Sequence, residues 1–220
     1  MTETRAPSFA TVVLDVDSTV SSVEGIDWLA ARRGPDVAES IRELTAQAMS
    51  GEIPLETVYG RRLEAIRPSR DEVDALSNAY IDALASGCAE TIDHLRGAGV
   101  HLVLVSGGIR NALLRLALHL DIPIVDVHGV DVYFHQDGTY VGFNDRSPLT
   151  TSTGKAAVIA TLAAPRPLLM VGDGMTDLAA RPSVDSFAAF TAFAARPPVV
   201  SAADAVVHSF AELERLVLGD

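Results

Sequence analysis

The chain has 220 residues, 48% of them hydrophobic, which is enough to bury a substantial core in one or two domains. Its net charge of −12 disfavours binding to nucleic acid or anionic lipid. The sequence contains no apolar run of about 18 residues, the length needed to span a membrane. The first residues lack a secretory pattern and Cys88 is the single cysteine, so we expect a cytoplasmic protein.

Apolar runs of strand length alternate with helical stretches along much of the chain. Strands are predicted over Thr11–Leu14, His101–Val105, Ile122–Val127 and Leu168–Val171, and helices over Ala89–Ala98, Asn111–His119 and Lys155–Ala163. Parallel strands are buried on both faces and are connected by helices. The alternation therefore predicts an α/β fold with a Rossmann-like parallel sheet flanked by helices.

Two stretches interrupt this alternation. Residues 21–85 show only helical patterning, so we predict an inserted helical cap domain there and a core made of residues 1–20 and 86–220. Residues 130–143 alternate polar and apolar side chains around Asp137-Gly138, which predicts a small β-hairpin at the edge or rim of the sheet.

Polar segments stand where ligand sites form in open parallel sheets, outside the carboxyl ends of the strands. These segments are Asp15–Thr19, Ser106–Gly108, the loop leading to Lys155, and Gly172–Asp177. Adjacent strands lie roughly 4.8 Å apart, so Asp15 and Asp173 could share one hard cation such as Mg²⁺ if their strands are neighbours. A single Asp in such a place is more often a turn or helix cap, but the whole set favours a site.

Lys155 and Ser106 each allow a functional and a purely structural interpretation. Lys155 falls in the first turn of a predicted helix, where a cation opposes the helix dipole by about 0.3 to 1 kcal/mol. A nearby phosphate would remove this conflict, whereas an exposed lysine could simply extend into water. Ser106 could cap the following helix, although Gly107 and Gly108 would let backbone N–H groups approach an anion.

Taken in order, DVDST, VSGG, the lone Lys155 and GDGMTD resemble the signature motifs of the haloacid dehalogenase superfamily. Within it, DVDSTVSSVEGID, AMSGEIP and RRLEAIRPSR resemble the phosphoserine phosphatase family. This resemblance implies an Mg²⁺-dependent phosphomonoesterase that forms an aspartyl-phosphate and hydrolyses O-phosphoserine in the last step of serine biosynthesis. Its partner would be a small phosphorylated substrate, with neither nucleic acid nor membrane, and the protein would be a monomer or homodimer.

The resemblance also implies roles for individual residues. Asp15 would be the nucleophile, Asp17 the general acid and base, and Lys155 a catalytic cation. Mg²⁺ would be held by the Asp15 carboxylate, the Asp17 backbone carbonyl and Asp173, with Asp177 orienting Lys155 and metal-bound water. The implied substrate contacts are Ser106, Gly107 and Lys155 on the phosphoryl group, Glu24 on the ammonium, Arg62 on the carboxylate, and further contacts from Met49 and Thr176.

Two alternatives stay open, and departures from the family pattern bear on the first of them. Ser50 replaces a usual Gly and Leu55 a frequent Phe, both in the expected pocket, so a phosphatase or phosphotransferase for another small monoester is the first alternative. Residues 188–200 lack the usual Gly-rich ending, which leaves the strand and loop there undecided. The second alternative is a non-enzymatic receiver module that accepts phosphate on Asp, but such a module needs neither Asp17 nor a helical insertion.

Overall fold

The computed structural model describes residues 6–50 and 52–219, with only the backbone at positions 49 and 50. The strands are β1 Thr11–Leu14, β2 His101–Ile109, β3 Val127–Val130, β4 Val132–Phe134, β5 Tyr140–Phe143, β6 Leu168–Gly172, β7 Ser186–Phe190 and β8 Ala205–Val207. The helices are α1 Gly25–Ala30, α2 Pro35–Ser50, α3 Leu55–Ile66, α4 Arg70–Asp82, α5 Cys88–Gly97, α6 Arg110–His119, α7 Gly154–Ile159, α8 Met175–Leu178, α9 Pro197–Ala202 and α10 Phe210–Leu218.

Six strands form one parallel sheet in the order β3-β2-β1-β6-β7-β8. The central strand β1 is buried along its whole length, as its run of apolar and β-branched residues requires. It pairs with β2 on one side and with β6 on the other. Strands β2 and β3 are added on one side of β1, and β6, β7 and β8 on the other, so the strand order reverses between β1 and β6. The predicted Rossmann-like parallel sheet with flanking helices is therefore confirmed.

Among the described residues, the stretch between β1 and α5 contains the α-helices α1 to α4 and a short 3-10 helix at Ala31–Arg33. Helix α1 packs on α2 and α4, α2 packs on α3, and α4 packs on α6, which flanks the sheet. A capping box between Ser69 and Glu72 begins α4. Arg33 binds both oxygens of Glu72 at 2.5 Å and donates to the Ile66 carbonyl at 2.6 Å, so one side chain connects three segments of this helical stretch.

The predicted hairpin is confirmed, and it forms a separate two-stranded sheet from β4 and β5. At its turn, Asp137 accepts hydrogen bonds from both the backbone and the hydroxyl of Thr139. Its aromatic residues contact the helical stretch: Phe143 lies 5.6 Å from the Tyr59 ring, and the Arg70 guanidinium lies 5.2 Å from the Phe134 ring. The hairpin therefore packs against α3 and α4.

Three predicted elements are wrong in their extent. Strand β2 continues to Ile109 instead of ending at Val105, so Ser106–Gly108, predicted to follow the strand, lie within it. The run Ile122–Val127 is not a strand: residues 124–126 form a 3-10 turn and β3 covers 127–130, because Pro123 has no N–H to donate to a sheet. The helix that contains Lys155 ends at residue 159 instead of 163, where the Thr161 hydroxyl bonds the Val158 carbonyl. In the undecided C-terminal stretch, β7 is followed by α9, β8 and α10. Among the described residues, no helix is long and apolar enough to cross a membrane.

Candidate active site

The carboxyl ends of β1, β2 and β6 bring the predicted residues into one cavity. Asp15 directly follows β1, Ser106 lies in the C-terminal half of β2, and Asp173 directly follows β6. All three are buried, with exposures of 5%, 1% and 5%. The cavity is lined by these residues and by Asp17, Glu24, Ile26, Asp27, Thr45, Leu55, Tyr59, Arg62, Gly107, Leu149, Thr151, Lys155, Gly174, Thr176, Asp177 and Arg196.

Lys155 lies between two carboxylates. Its Nζ is 2.5 Å from Asp15 Oδ1 and 2.5 Å from Asp177 Oδ1, and all three side chains are buried. Burial alone would lower the pKa of Lys155, but the two carboxylates raise it above its usual value. Burial raises the pKa of Asp15 well above its ordinary value, and Asp177 adds to this rise while Lys155 opposes it. The interpretation of Lys155 as an exposed side chain is therefore wrong.

Glycine at position 172 makes room for Asp177. A Cβ atom at Gly172 would lie 2.2 Å from the Asp177 carboxyl carbon, closer than any packed side chain allows. Asp177 Oδ2 accepts a hydrogen bond from the Gly174 N–H at 2.9 Å, while its Oδ1 bonds Lys155. Both oxygens of Asp177 thus have partners within the protein, an arrangement that suits the predicted orienting role.

The carboxylates of Asp15, Asp173 and Asp177 fit a divalent metal ion. One oxygen from each lies within 4.8 Å of the others, and all three residues are buried. Lys155 and Arg196 supply two positive charges against these three negative ones, so a cation would relieve the remaining repulsion. Hard oxygen donors of this kind suit a divalent metal. The Asp17 carboxylate is not in this trio, and its predicted contact through the backbone carbonyl stays a prediction.

Asp17 has a different environment from Asp15. Its Oδ1 accepts two hydrogen bonds, from the Tyr80 hydroxyl at 2.6 Å and from the Gly25 N–H at 3.2 Å. Burial, with the negative charge of Glu24, raises the pKa of Asp17 to about 7, while the two hydrogen bonds oppose the rise. A Cβ atom at Gly25 would lie 2.1 Å from the Tyr80 oxygen, so glycine is required for this approach.

The phosphate-contact candidates lie around the same cavity. The Ser106 hydroxyl accepts a hydrogen bond from the Gly108 N–H at 2.9 Å, and Ser106 does not cap the next helix, whose N-cap is Ile109. The Gly107 carbonyl accepts a hydrogen bond from the Tyr59 hydroxyl at 2.8 Å, which ties α3 to β2. Thr176, in the first turn of α8, also lines the cavity.

Glu24 and Arg62 are charged residues on the helical side of the cavity, Glu24 half-buried and Arg62 buried. Arg62 is only 3% exposed, and its Nη1 donates to the Thr45 hydroxyl at 3.0 Å. Burial lowers the pKa of Arg62 and raises that of Glu24, and the Ser18 hydroxyl, which donates to Glu24 at 2.6 Å, opposes the latter shift. The default interpretation of both residues as solvated surface charges is therefore wrong.

Some predicted pocket positions cannot be compared in the same way. The side chains of Met49 and Ser50 lie outside the described residues, so the substrate contact assigned to Met49 stays a prediction. Leu55 is buried and lines the cavity, and its N–H donates to the Ser152 hydroxyl at 3.1 Å.

Sequence reasoning missed three residues that shape the site: Tyr80, Arg196 and Thr45. Tyr80 donates to Asp17, and Arg196 contacts the Asp173 carboxylate and also donates to the Asp173 backbone carbonyl at 3.3 Å. No local pattern signals these roles, because each partner lies far away in sequence. Arg196 also stands in the C-terminal stretch whose structure the sequence left undecided.

Comparison with known proteins adds independent information. The family model of haloacid dehalogenase-like hydrolases matches residues 9–185. A phosphoserine phosphatase of Bos taurus is 37% identical over 205 residues, which cover 92% of this chain and 90% of that protein.

Two solved structures have the same fold. A phosphoserine phosphohydrolase-like protein from Francisella tularensis subsp. tularensis SCHU S4 superposes with a TM-score of 0.83 at 23% identity, over 94% of this chain and 98% of that chain. A phospho-aspartyl intermediate analogue of phosphoserine phosphatase superposes with a TM-score of 0.76 at 22% identity, over 91% and 93% of the two chains. The arrangement of the parallel sheet and its helices is therefore shared with these proteins.

Proposed function

The chain belongs to the haloacid dehalogenase-like hydrolase family, and from this membership we propose that it hydrolyses O-phosphoserine to serine and phosphate, through an aspartyl-phosphate on Asp15 and with Mg²⁺ as its metal ion. Family membership makes the protein a hydrolase and leaves the receiver-module alternative without support. The relative from Bos taurus named above is a phosphoserine phosphatase, which supports this substrate.

The observation that carries the substrate proposal is one cavity lined by both sets of charged residues. Glu24 and Arg62 line the same cavity as Asp15, Asp17 and Lys155. The buried Nε of Arg62 has no hydrogen-bond partner among the described residues, which is costly unless a ligand accepts from it. A molecule that carries phosphate, ammonium and carboxylate groups, as phosphoserine does, offers a partner to each of these charges.

In the proposed reaction, an Asp15 carboxylate oxygen forms a bond to phosphorus while the bond from phosphorus to the serine oxygen breaks. Asp17 gives its proton to the departing serine oxygen. Asp17 then takes a proton from a water molecule, which attacks phosphorus, releases phosphate and restores the Asp15 carboxylate. Mg²⁺, held by Asp15, Asp173 and the Asp17 carbonyl, would supply positive charge to the phosphoryl oxygens.

The surroundings of Asp17 support this double use. Because Tyr80 and Gly25 both donate to Oδ1, the proton of the neutral acid resides on Oδ2. A pKa of about 7 gives both the protonated and the ionised form near neutral pH, so the same carboxyl can serve as acid in the first step and base in the second.

We further propose that residues 21–85 are the cap that selects the substrate, and that Ser106, Gly107, Lys155 and Thr176 contact the phosphoryl group. Lys155 would balance charge that develops on the phosphoryl oxygens. Its position beside Asp15 and its two carboxylate partners support this role, because they hold the ammonium at the nucleophile.

The test compares two substrates in the presence of Mg²⁺: O-phosphoserine and phosphoethanolamine, which lacks the carboxylate. Arg62→Ala should lower kcat/KM for phosphoserine by an amount equivalent to about 2 to 5 kcal/mol and affect phosphoethanolamine much less. Arg61→Ala is the matched control, because Arg61 is its exposed neighbour on α3 and should behave like the wild type on both esters.

Three results would contradict parts of the proposal. Equal losses on both esters in Arg62→Ala would mean that Arg62 does not read a carboxylate. Full activity in excess EDTA would refute the metal requirement. Preference for a sugar phosphate or another ester in a wider panel would favour the alternative phosphatase or phosphotransferase, for which the aliphatic Leu55 in the cavity wall is the structural reason.

A further inference from the structure

A hydrogen-bonded chain of three side chains crosses three helices beside the cavity. The Thr45 hydroxyl on α2 lies 2.9 Å from Asp27 Oδ1 on α1 and 3.0 Å from Arg62 Nη1 on α3. Thr45 and Arg62 are both buried, with exposures of 8% and 3%. All three residues line the cavity.

The direction of these hydrogen bonds follows from the chemistry of the three groups. A guanidinium can only donate, so the Thr45 oxygen must accept from Arg62. The single hydroxyl proton of Thr45 is then available for Asp27, whose carboxylate accepts it. Asp27 thereby holds the hydroxyl in the rotamer that presents a lone pair to Arg62.

This arrangement leaves Arg62 only partly satisfied. Its Nη1 is held by Thr45, its guanidinium carbon lies 5.5 Å from the Tyr59 ring centre, and its buried Nε has no partner among the described residues. An arginine side chain has several rotatable bonds, and fixing them before a ligand arrives reduces the entropy lost on binding.

We infer that Thr45 and Asp27 are positioning residues for Arg62, which orient its guanidinium so that the remaining N–H groups receive the substrate carboxylate. This inference rests on the proposed function, because it assumes that Arg62 binds a carboxylate. Thr45 and Asp27 act through Arg62 and determine specificity, while the reacting atoms are handled elsewhere.

The readout is a ratio, kcat/KM for O-phosphoserine divided by kcat/KM for phosphoethanolamine, measured with Mg²⁺. Thr45→Val keeps the branched shape but removes the hydroxyl, and it should lower this ratio about 10-fold. Thr45→Ser restores the hydroxyl and should keep the ratio within about twofold of the wild type. Thermal unfolding of each variant shows that it is folded, and Thr45→Ala replaces Thr45→Val if the latter does not fold.

Asp27 is tested by a double-mutant cycle. Asp27→Ala alone should lower the ratio several-fold, but in the Thr45→Val background it should change the ratio by less than about twofold, because its action passes through the hydroxyl. An equal effect of Asp27→Ala in both backgrounds would mean that Asp27 acts independently of the Thr45 hydroxyl, and it would overturn the inference for Asp27.

The outcomes separate the inference from the function on which it rests. A wild-type ratio near 1 overturns the proposed substrate, and the inference falls with it. A wild-type preference for phosphoserine that Thr45→Val leaves intact, or a loss that Thr45→Ser shares in full, overturns the positioning role alone.

Discussion

Replacing Arg196 with Gln should strengthen the binding of Mg²⁺ to the free protein. Arg196 contacts the Asp173 carboxylate and donates to its backbone carbonyl, so it competes with a metal ion for the same ligand. Its positive charge also repels a cation at this site. Both effects act in the same direction, because the substitution removes the positive charge and leaves a shorter, neutral side chain that competes more weakly for Asp173.

The size of the effect follows from the burial of the pair. Asp173 is 5% exposed and Arg196 is 29% exposed, which places the pair between an exposed and a buried ion pair. Such a pair contributes about 1 to 2 kcal/mol, which corresponds to a Kd for Mg²⁺ that is about 5- to 30-fold lower in the variant. Isothermal titration calorimetry on metal-free protein measures this Kd without any catalytic turnover.

Arg166→Gln is the charge-matched control. Arg166 lies just before β6 and pairs with Asp185, whereas Asp173 follows the other end of that strand, so the two arginines lie at opposite ends of the parallel strands. The control should bind Mg²⁺ like the wild type. An Arg196→Gln protein with an unchanged or higher Kd would refute the competition argument, and an equal gain in Arg166→Gln would reduce it to a general effect of net charge.

Three further predictions test other contacts. Asp15→Asn should abolish turnover and covalent labelling by phosphate, while thermal unfolding shows that the variant is still folded. Label at any other residue of the wild type would refute the assigned nucleophile. Tyr80→Phe removes a hydrogen bond to Asp17 and should lower kcat for phosphoserine more than for a nitrophenyl phosphate, whose leaving group needs less protonation; equal losses would contradict this role. Glu72→Gln keeps the helix cap but removes the charge beside Arg33, whose hydrogen bond holds the pKa of Glu72 at about 2, below its ordinary value of 4.5. The charge should therefore add about 1 to 2 kcal/mol to the free energy of unfolding at pH 7, and urea denaturation should show this difference shrinking as the pH falls from 4.5 towards 2; a constant difference would refute the linkage.

Much of the fold could be predicted because its signals are local. The apolar run of β1 was predicted with its observed bounds, and the rule that sites form at the carboxyl ends of parallel strands grouped Asp15 and Asp173 before their strands were known to be neighbours. The apolar run that begins at Ile122 misled the same reasoning, because apolar character outweighed the missing N–H of Pro123.

The contacts that tune the site could not be predicted, because they join residues that are distant in sequence. Tyr80 lies 63 positions from Asp17, and Arg196 lies 23 positions from Asp173. A buried tyrosine on an amphipathic helix is ordinary core, and an arginine before two prolines is an ordinary loop residue. Only the packing of α4 and of the loop before α9 gives these side chains their partners.

The hydrogen bonds of Tyr80 and Tyr59 also bear on which substrate length the protein would accept. Tyr80 on α4 bonds Asp17, which lies in the loop after β1, and Tyr59 on α3 bonds the Gly107 carbonyl in β2. Both helices are therefore tied directly to the sheet or to the loop after one of its strands. Under the proposed function, the phosphoryl group is held by the sheet side and the carboxylate by Arg62 on α3. The Tyr59 hydrogen bond starts one helical turn from Arg62, so it would set the distance between the two binding points. A substrate lengthened by one methylene would then have to break one of the two contacts, which makes the attachment of α3, and not the catalytic carboxylates, the feature that selects the length of the substrate.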